Sequence, residues 1–136
     1  MDTNIIVKAF RAPLGDSAAL VREVRAGNVA MLVTPPLFLE YEQVVLRPEH
    51  IAAAGASAAE AGMFLDALAR LLTKVNVHFL WRPQLSDPED EMVLEAAING
   101  GAEAIVTFER NTFERAARSF GIALVTPGAI LGRLRR

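Results

Sequence analysis

The sequence predicts a three-layer α/β/α sandwich built around a mostly parallel sheet. Short apolar runs bounded by turn residues are typical of strands that are covered on both faces. Amphipathic helical segments alternate with these runs, as in α/β folds with parallel strands. The chain has no internal repeat, low-complexity tract or linker. We therefore expect one domain over residues 1–136.

The amino-terminal third contains two predicted helices and one predicted strand. The capping residues Asp2, Thr3 and Asn4 precede an apolar segment, Ile5–Phe10, which we interpret as a helix with no strand ahead of it. Ser17 can cap a second helix that runs to about Ala26. The continuous apolar run at residues 29–33 predicts a buried strand.

The remaining elements follow in regular alternation. The middle of the chain predicts a helix that starts at Thr34, a loop or short helical connection at residues 47–56, a helix at residues 57–73 and a strand at residues 75–81. The last part predicts a helix from Ser86 to Gly100, a strand at residues 104–107, a helix to Phe120, a strand at residues 122–125 and a closing helix after Thr126.

Composition and charge exclude several classes of protein. Hydrophobic residues make up 52% of the 136 residues, which is enough for a substantial core. The absence of cysteine excludes disulfides and thiolate metal sites and is consistent with a reducing cytoplasm. Fourteen basic and sixteen acidic residues leave a net charge of −2, so no global basicity indicates nucleic acid. No apolar run has membrane-spanning length, and Asp2 stands where a signal peptide would be basic. We expect a soluble cytoplasmic protein with no membrane partner.

Four acidic residues occur where predicted strands end or where the following helices begin. They are Asp2, Glu40, Asp90 and Glu109, with Asp87 and Glu89 near the third. Ligands of open α/β sheets bind at the carboxyl ends of the strands, so we expect these carboxylates to converge. Carboxylates without nearby cysteine or histidine suit Mg²⁺ or Mn²⁺, and such a centre supports hydrolysis of phosphodiesters. For Glu40, pairing with an arginine remains an alternative, and we assign no role to His50 or His78.

The motifs in order resemble those of PIN-domain ribonucleases, in particular the toxin components of toxin–antitoxin systems related to VapC toxins. The resemblance spans nearly the whole chain. It rests on Asp2-Thr-Asn-Ile-Ile-Val, on the segment from Thr34 to Leu46, on Asp87-Pro-Glu-Asp-Glu-Met-Val-Leu-Glu-Ala-Ala, on Gly100-Gly-Ala-Glu-Ala-Ile-Val-Thr and on Gly121-Ile-Ala-Leu-Val-Thr-Pro.

The resemblance implies a residue-by-residue assignment of the site. The first catalytic aspartate falls on Asp2 with Asn4 as polar support, the helical glutamate on Glu40, and the third acid on Asp90 with Asp87 as an extra aspartate. Members of this family hold Mg²⁺ or Mn²⁺ on these side chains and cleave single-stranded RNA. The expected partners are therefore single-stranded RNA and a cognate antitoxin protein, with a homodimer as an open alternative.

Two departures from the family pattern affect this assignment. The fourth acidic region has Thr112 where an aspartate is usual, while Glu109 offers a carboxylate two residues after Thr107, itself a polar support. In the family an apolar strand leads into the first aspartate, whereas only Met1 precedes Asp2 here. Either the true start lies upstream of Met1, which is the explanation we favour, or the central strand is lost. We therefore expect a truncated first strand ahead of Asp2.

Three functions compete. The first is a metal-dependent ribonuclease that acts as a toxin. The second is a catalytically degenerate PIN domain that binds RNA or protein. A phosphoacceptor receiver-like domain fits poorly, because no lysine follows Lys74. RNA must approach a carboxylate cluster, so we expect nearby cations to offset the repulsion. The candidates that flank the first and last acidic segments are Lys8, Arg11, Arg110 and Arg115, for each of which a solvated surface position is the alternative.

Overall fold

A computed structural model describes residues 1–77 and 87–135 of the chain, with the backbone alone at Pro88 and Glu89. The helices are α1 (Thr3–Arg11), α2 (Asp16–Arg25), α3 (Pro35–Val45), α4 (Pro48–Ala53), α5 (Ala58–Leu71), α6 (Pro88–Gly100), α7 (Arg110–Ser119) and α8 (Pro127–Leu134). The strands are β1 (Leu32–Val33), β2 (Thr73–Lys74), β3 (Ala104–Val106) and β4 (Ala123–Val125). The predicted cap at Ser86, the predicted strand beyond residue 77, His78 and the side chain of Glu89 lie outside the described residues.

Helices α3, α5 and α8 begin with a side-chain cap that the sequence supplies. The Thr34 hydroxyl accepts a hydrogen bond from the Leu37 amide at 3.4 Å, and Thr126 accepts one from the Ala129 amide at 3.2 Å. Proline follows both threonines, where its missing N–H costs nothing. Ser57 forms a reciprocal capping box with Glu60 at the start of α5. The expected cap at Ser17 is wrong. Gly15 is the N-cap residue, α2 begins at Asp16, and Ser17 is buried within the helix.

The strands form two parallel pairs, which confirms the α/β class and the parallel direction. β1 pairs with β2 and β3 pairs with β4, so the described residues contain two two-stranded sheets. We expected a strand that starts at Val75 and runs to residue 81. Its predicted start is wrong, because the residues that pair with β1 are Thr73 and Lys74. The three-layer sandwich stays a prediction.

The start of the chain is helical, as predicted, although the side chain of the N-cap residue Asp2 makes no capping hydrogen bond. α1 begins directly after Asp2, and in the described structure no strand precedes β1. The Asp2 amide nevertheless donates a hydrogen bond to the Val106 carbonyl at 2.9 Å. Asp2 therefore lies against the edge of β3 that faces away from β4. The truncated first strand stays a prediction.

Helix α6 holds the two strand pairs together. It contacts α3, α7, β1 and β3, and it buries Val93, Leu94, Ala96 and Ala97. Gly100 permits the closest approach, because a Cβ at this position would lie 2.6 Å from the Leu32 Cδ1 atom. None of the helices in the described part of the chain is long and apolar enough to cross a membrane.

An apolar groove of about 600 Å³ separates the two strand pairs. We call it the central groove. β1 and β3 form its sides, and α6 and α8 contribute further lining. Its lining includes Met1, Leu32, Ala97, Ala104, Val106 and Ile130.

Candidate active site

Asp2 is the buried carboxylate at the carboxyl end of β3. Its residue is only 4% exposed, and its Oδ2 atom accepts a hydrogen bond of 2.7 Å from the Thr107 hydroxyl. The same hydroxyl oxygen accepts a bond of 2.9 Å from the Glu109 amide. Thr107 thus fixes the orientation of the Asp2 carboxylate and the path of the backbone toward Glu109.

Glu109 and Asn4 complete this group at the surface. The Asn4 side-chain amide donates to Glu109 Oε1 at 3.1 Å, and both residues are exposed. Four of the residues predicted for the site therefore lie together: Asp2, Asn4, Thr107 and Glu109. We call them the β3-edge cluster. α1 and the turn between β3 and α7 position it.

Tyr41 anchors the residue that precedes Asp2. Its hydroxyl donates a hydrogen bond to the Met1 carbonyl oxygen. Burial raises the pKa of Tyr41, and the nearby charge of Asp2 raises this pKa further, so the phenol keeps its proton. Burial lowers the pKa of the Met1 amino group to about 6, and the attraction of Asp2 opposes that shift.

The other predicted acids lie on α3 and α6. Glu40 is buried at 7% exposure on α3, beside Tyr41 in sequence. Asp90 is half-buried in the first turn of α6, and Asp87 is exposed just before that helix. Among residues 1–77 and 87–135, no three histidine, aspartate or glutamate side chains are grouped so that they could hold one metal ion. The joint metal site of Asp2, Glu40, Asp90 and Glu109 stays a prediction.

The chemistry of the donors fits a hard divalent cation. Asp2 and Glu40 are carboxylates with little exposure, and burying a carboxylate is costly without a compensating charge or hydrogen bonds. The β3-edge cluster offers only oxygen donors and one amide, which suits Mg²⁺ or Mn²⁺ rather than zinc.

Two buried acids were missed by the sequence reasoning. Glu91 and Glu95 on α6 are each 3% exposed. They lie four residues apart, hence on the same face of the helix. Each has an apolar neighbour in the chain, Met92 after Glu91 and Leu94 before Glu95, which was the available signal.

The predicted RNA-binding cations are all exposed: Lys8, Arg11, Arg110 and Arg115. The Lys8 Nζ atom is 5.5 Å from the centre of the ring of Phe108, the residue between Thr107 and Glu109. Arg110 directly follows Glu109 and begins α7. Arg115 lines a shallow surface depression together with Asn111 and Arg118. Their contact with RNA stays a prediction.

Comparison with known proteins identifies the family. A family model described as PIN domain matches residues 1–111, which is most of the chain. Neither the comparison with curated proteins nor that with solved structures found a match. PIN domains are generally nucleases, and those nucleases generally use divalent metal ions. The extent of the match covers α1 and the whole β3-edge cluster, and the chain belongs to the PIN-domain family.

Proposed function

We propose that this chain is a divalent-metal-dependent endoribonuclease that cleaves single-stranded RNA. One observation carries the proposal. A buried aspartate, Asp2, is oriented by the Thr107 hydroxyl at the carboxyl end of a parallel strand, beside Glu109. A carboxylate oriented in this way is suited to a metal, because neighbours that fix a ligand raise metal affinity.

Asp2, Glu40, Asp90 and Glu109 would hold the ion, with Asp87 as an additional acid. Bound Mg²⁺ or Mn²⁺ supplies an activated water and stabilises charge on the phosphate. The protein contributes orientation. Thr107 holds Asp2, Asn4 holds Glu109, and Tyr41 fixes the backbone through the Met1 carbonyl. Lys8, Arg11, Arg110 and Arg115 would offset the repulsion between these carboxylates and the RNA backbone.

The test is a cleavage assay on a fluorescent single-stranded RNA, with Mn²⁺, with Mg²⁺ and with EDTA. We expect cleavage with either metal, none with EDTA, and little cleavage of a matched duplex. Asp2→Asn removes a negative charge while its amide oxygen can still accept the Thr107 bond, and we expect it to be inactive. Asp66→Asn on the exposed face of α5 is the control and should remain active.

The alternative is a degenerate PIN domain that binds RNA or protein without cleaving it. Thr112 favours this alternative, since the family pattern has an aspartate at that position. RNA binding by the wild-type chain without cleavage in either metal would support the binding module and contradict the ribonuclease.

We also propose the cellular role of a toxin that a cognate antitoxin protein inhibits in the cytoplasm. The support for this role is the resemblance of the whole motif series to toxin components. Induced expression should then arrest the growth of a bacterial host, and Asp2→Asn should abolish the arrest. Normal growth with a soluble, RNA-cleaving wild-type protein would contradict the toxin role and leave the ribonuclease proposal intact.

A further inference from the structure

Phe108 is an exposed aromatic residue between Thr107 and Glu109, two members of the β3-edge cluster. Its exposed fraction is 50%, and among the described residues every other aromatic side chain is buried or half-buried. The half-buried rings pack against the core: Phe10, Phe38, Phe64 and Phe120. Phe108 belongs to neither cluster of core residues. Packing of the core therefore does not account for the position of this ring.

Hydrogen bonds fix the backbone on both sides of Phe108. The Thr107 amide donates to the Val125 carbonyl at 2.9 Å, and the Glu109 amide donates to the Thr107 hydroxyl oxygen at 2.9 Å. The same hydroxyl donates to Asp2. The ring is thus attached to a fixed turn at the carboxyl end of β3. A ligand that binds the ring would not have to order a loop, which would otherwise weaken its binding.

Helix α1 places a cation over this ring. The Lys8 Nζ atom lies 5.5 Å from the centroid of the Phe108 ring, within the range of a cation–π contact. Asn4 lies one turn earlier on the same face of α1 and donates to Glu109. Lys8 and Phe108 are both exposed. An exposed cation–π contact is weaker than a charge-assisted hydrogen bond to phosphate, so Lys8 remains available to an anion.

We propose that Phe108 and Lys8 bind one unpaired nucleotide, whose base stacks on the ring and whose phosphate binds the ammonium. We call this pair the nucleotide subsite. Aromatic faces bind bases of any sequence, and cations beside them bind the backbone, so a single-stranded nucleic acid matches both groups. The proposal rests on the proposed function and specifies its substrate.

The position of the ring defines which part of the substrate must be unpaired. Glu109, a proposed metal ligand, directly follows Phe108, so the stacked base would lie beside the phosphate that is cleaved. A base inside a duplex is stacked between its neighbours and cannot use the ring. The nucleotide subsite therefore selects RNA that is single-stranded next to the cleaved bond.

The first test measures binding of a fluorescent single-stranded RNA to the full chain by anisotropy in EDTA, so that cleavage does not enter. We expect Phe108→Ala to weaken binding on the order of tenfold and Phe108→Tyr, which keeps the aromatic face, to preserve it. Phe108→Leu keeps an apolar side chain without a ring and should weaken binding as Phe108→Ala does. Leu14→Ala, which alters a side chain that is 99% exposed, is the control and should leave affinity unchanged.

The second test identifies the stacked base with RNAs in which one abasic nucleotide is moved along the strand. At one position, loss of the base should weaken binding to the wild type on the order of tenfold. Phe108→Ala should bind this abasic RNA and the intact RNA with equal affinity, because the stacking partner is already absent. With Mn²⁺, the wild type should cleave the abasic RNA with a raised KM and an unchanged kcat, since stacking is equal in the ground state and the transition state.

The third test concerns the phosphate contact. Lys8→Ala should lower the slope of log affinity against log salt by about 0.7, whereas Phe108→Ala should leave that slope unchanged. Lys8→Arg retains the charge and should retain the slope. Equal slopes of the wild type and Lys8→Ala would contradict the role of Lys8 at the phosphate.

Unchanged affinity of Phe108→Ala, while the wild type cleaves RNA, would overturn the nucleotide subsite and leave the ribonuclease proposal intact. Normal binding by Phe108→Leu would also overturn it, because general apolar contact would then replace stacking. So would an abasic RNA that loses as much affinity for Phe108→Ala as for the wild type at every position. Absence of both binding and cleavage in the wild type would overturn the proposed function itself.

Discussion

The two sides of the residues Met1 and Asp2 are built differently. On one side, the β3-edge cluster is polar, and each of its members is engaged: Thr107 holds Asp2, and Asn4 holds Glu109. On the other side, the central groove is apolar, and its sides are the strand edges of β1 and β3. The same strand, β3, borders both regions.

This difference suggests that the β3-edge cluster serves activity and that the central groove serves the stability of the fold. Burial of a carboxylate such as Asp2 costs free energy of folding unless hydrogen bonds or a positive charge compensate it. Such a residue is therefore a candidate for a role in activity. Changes in the cluster should therefore alter activity, whereas changes around the groove should alter stability.

The largest expected effect is the loss of activity on changing Asp90. Asp90→Asn keeps the shape of the side chain and removes one negative charge from an acidic stretch. We expect this variant to melt no lower than the wild type, to bind Mn²⁺ far more weakly and to lose cleavage. Melting curves and a cleavage assay check it. Cleavage at the wild-type rate would shift the assignment to Asp87.

A smaller loss of activity is expected from Thr107→Val. This change removes the hydroxyl that donates to Asp2 and accepts from the Glu109 amide, at nearly constant volume. Loss of such an orienting contact costs about 10–100-fold in activity or metal affinity. Thr107→Ser retains the hydroxyl and should recover most of the activity. Equal activity of the valine and serine variants would remove Thr107 from the site.

The pH dependence of stability tests the environment of the Met1 amino group, which lies between the central groove and the β3-edge cluster. The pKa of the Met1 amino group is about 6 in the folded protein, against 8.0 in its unperturbed state. Between these values the unfolded chain binds more protons, so the free energy of unfolding should rise from pH 6 to pH 8, by about 2 kcal/mol. Melting at both pH values checks this rise. Acetylation of the amino group removes the titration and should abolish the difference.

The smallest effect is expected at the contact between α6 and β1. In Gly100→Ala, the new methyl would meet the Leu32 Cδ1 atom at 2.6 Å and the Val75 Cγ2 atom at 3.0 Å. The end of the Leu32 side chain can move, so we expect destabilisation of only about 1 kcal/mol. Gly62→Ala on α5 is the matched control. No atom lies near its Cβ position, and it should stabilise by about 0.5–1 kcal/mol.

The sequence predicted best what depends on local chemistry. Thr34, Ser57 and Thr126 cap helices because a hydroxyl near the following amides suffices for a cap. Strand bounds were less predictable, since the strand at Thr73–Lys74 is defined by pairing with β1, which lies forty-one residues earlier in the chain. The proximity of Asp2 and Glu109 was expected from their places at the ends of predicted strands, and the family resemblance added Asn4. The hydrogen bonds by which Thr107 connects Asp2 and Glu109 depend on tertiary packing around β3. The spacing of Glu91 and Glu95 places them on one face of α6, but the packing around that helix decides that this face is buried.

The central claim is that the β3-edge cluster, through Asp2, forms part of a metal site. Its most direct test is a calorimetric titration of the wild type, Asp2→Asn and Asp66→Asn with Mn²⁺. We predict that the wild type and Asp66→Asn bind Mn²⁺ with the same affinity and that Asp2→Asn, still folded by its melting curve, loses this binding. Binding of Mn²⁺ by folded Asp2→Asn with wild-type affinity would contradict it.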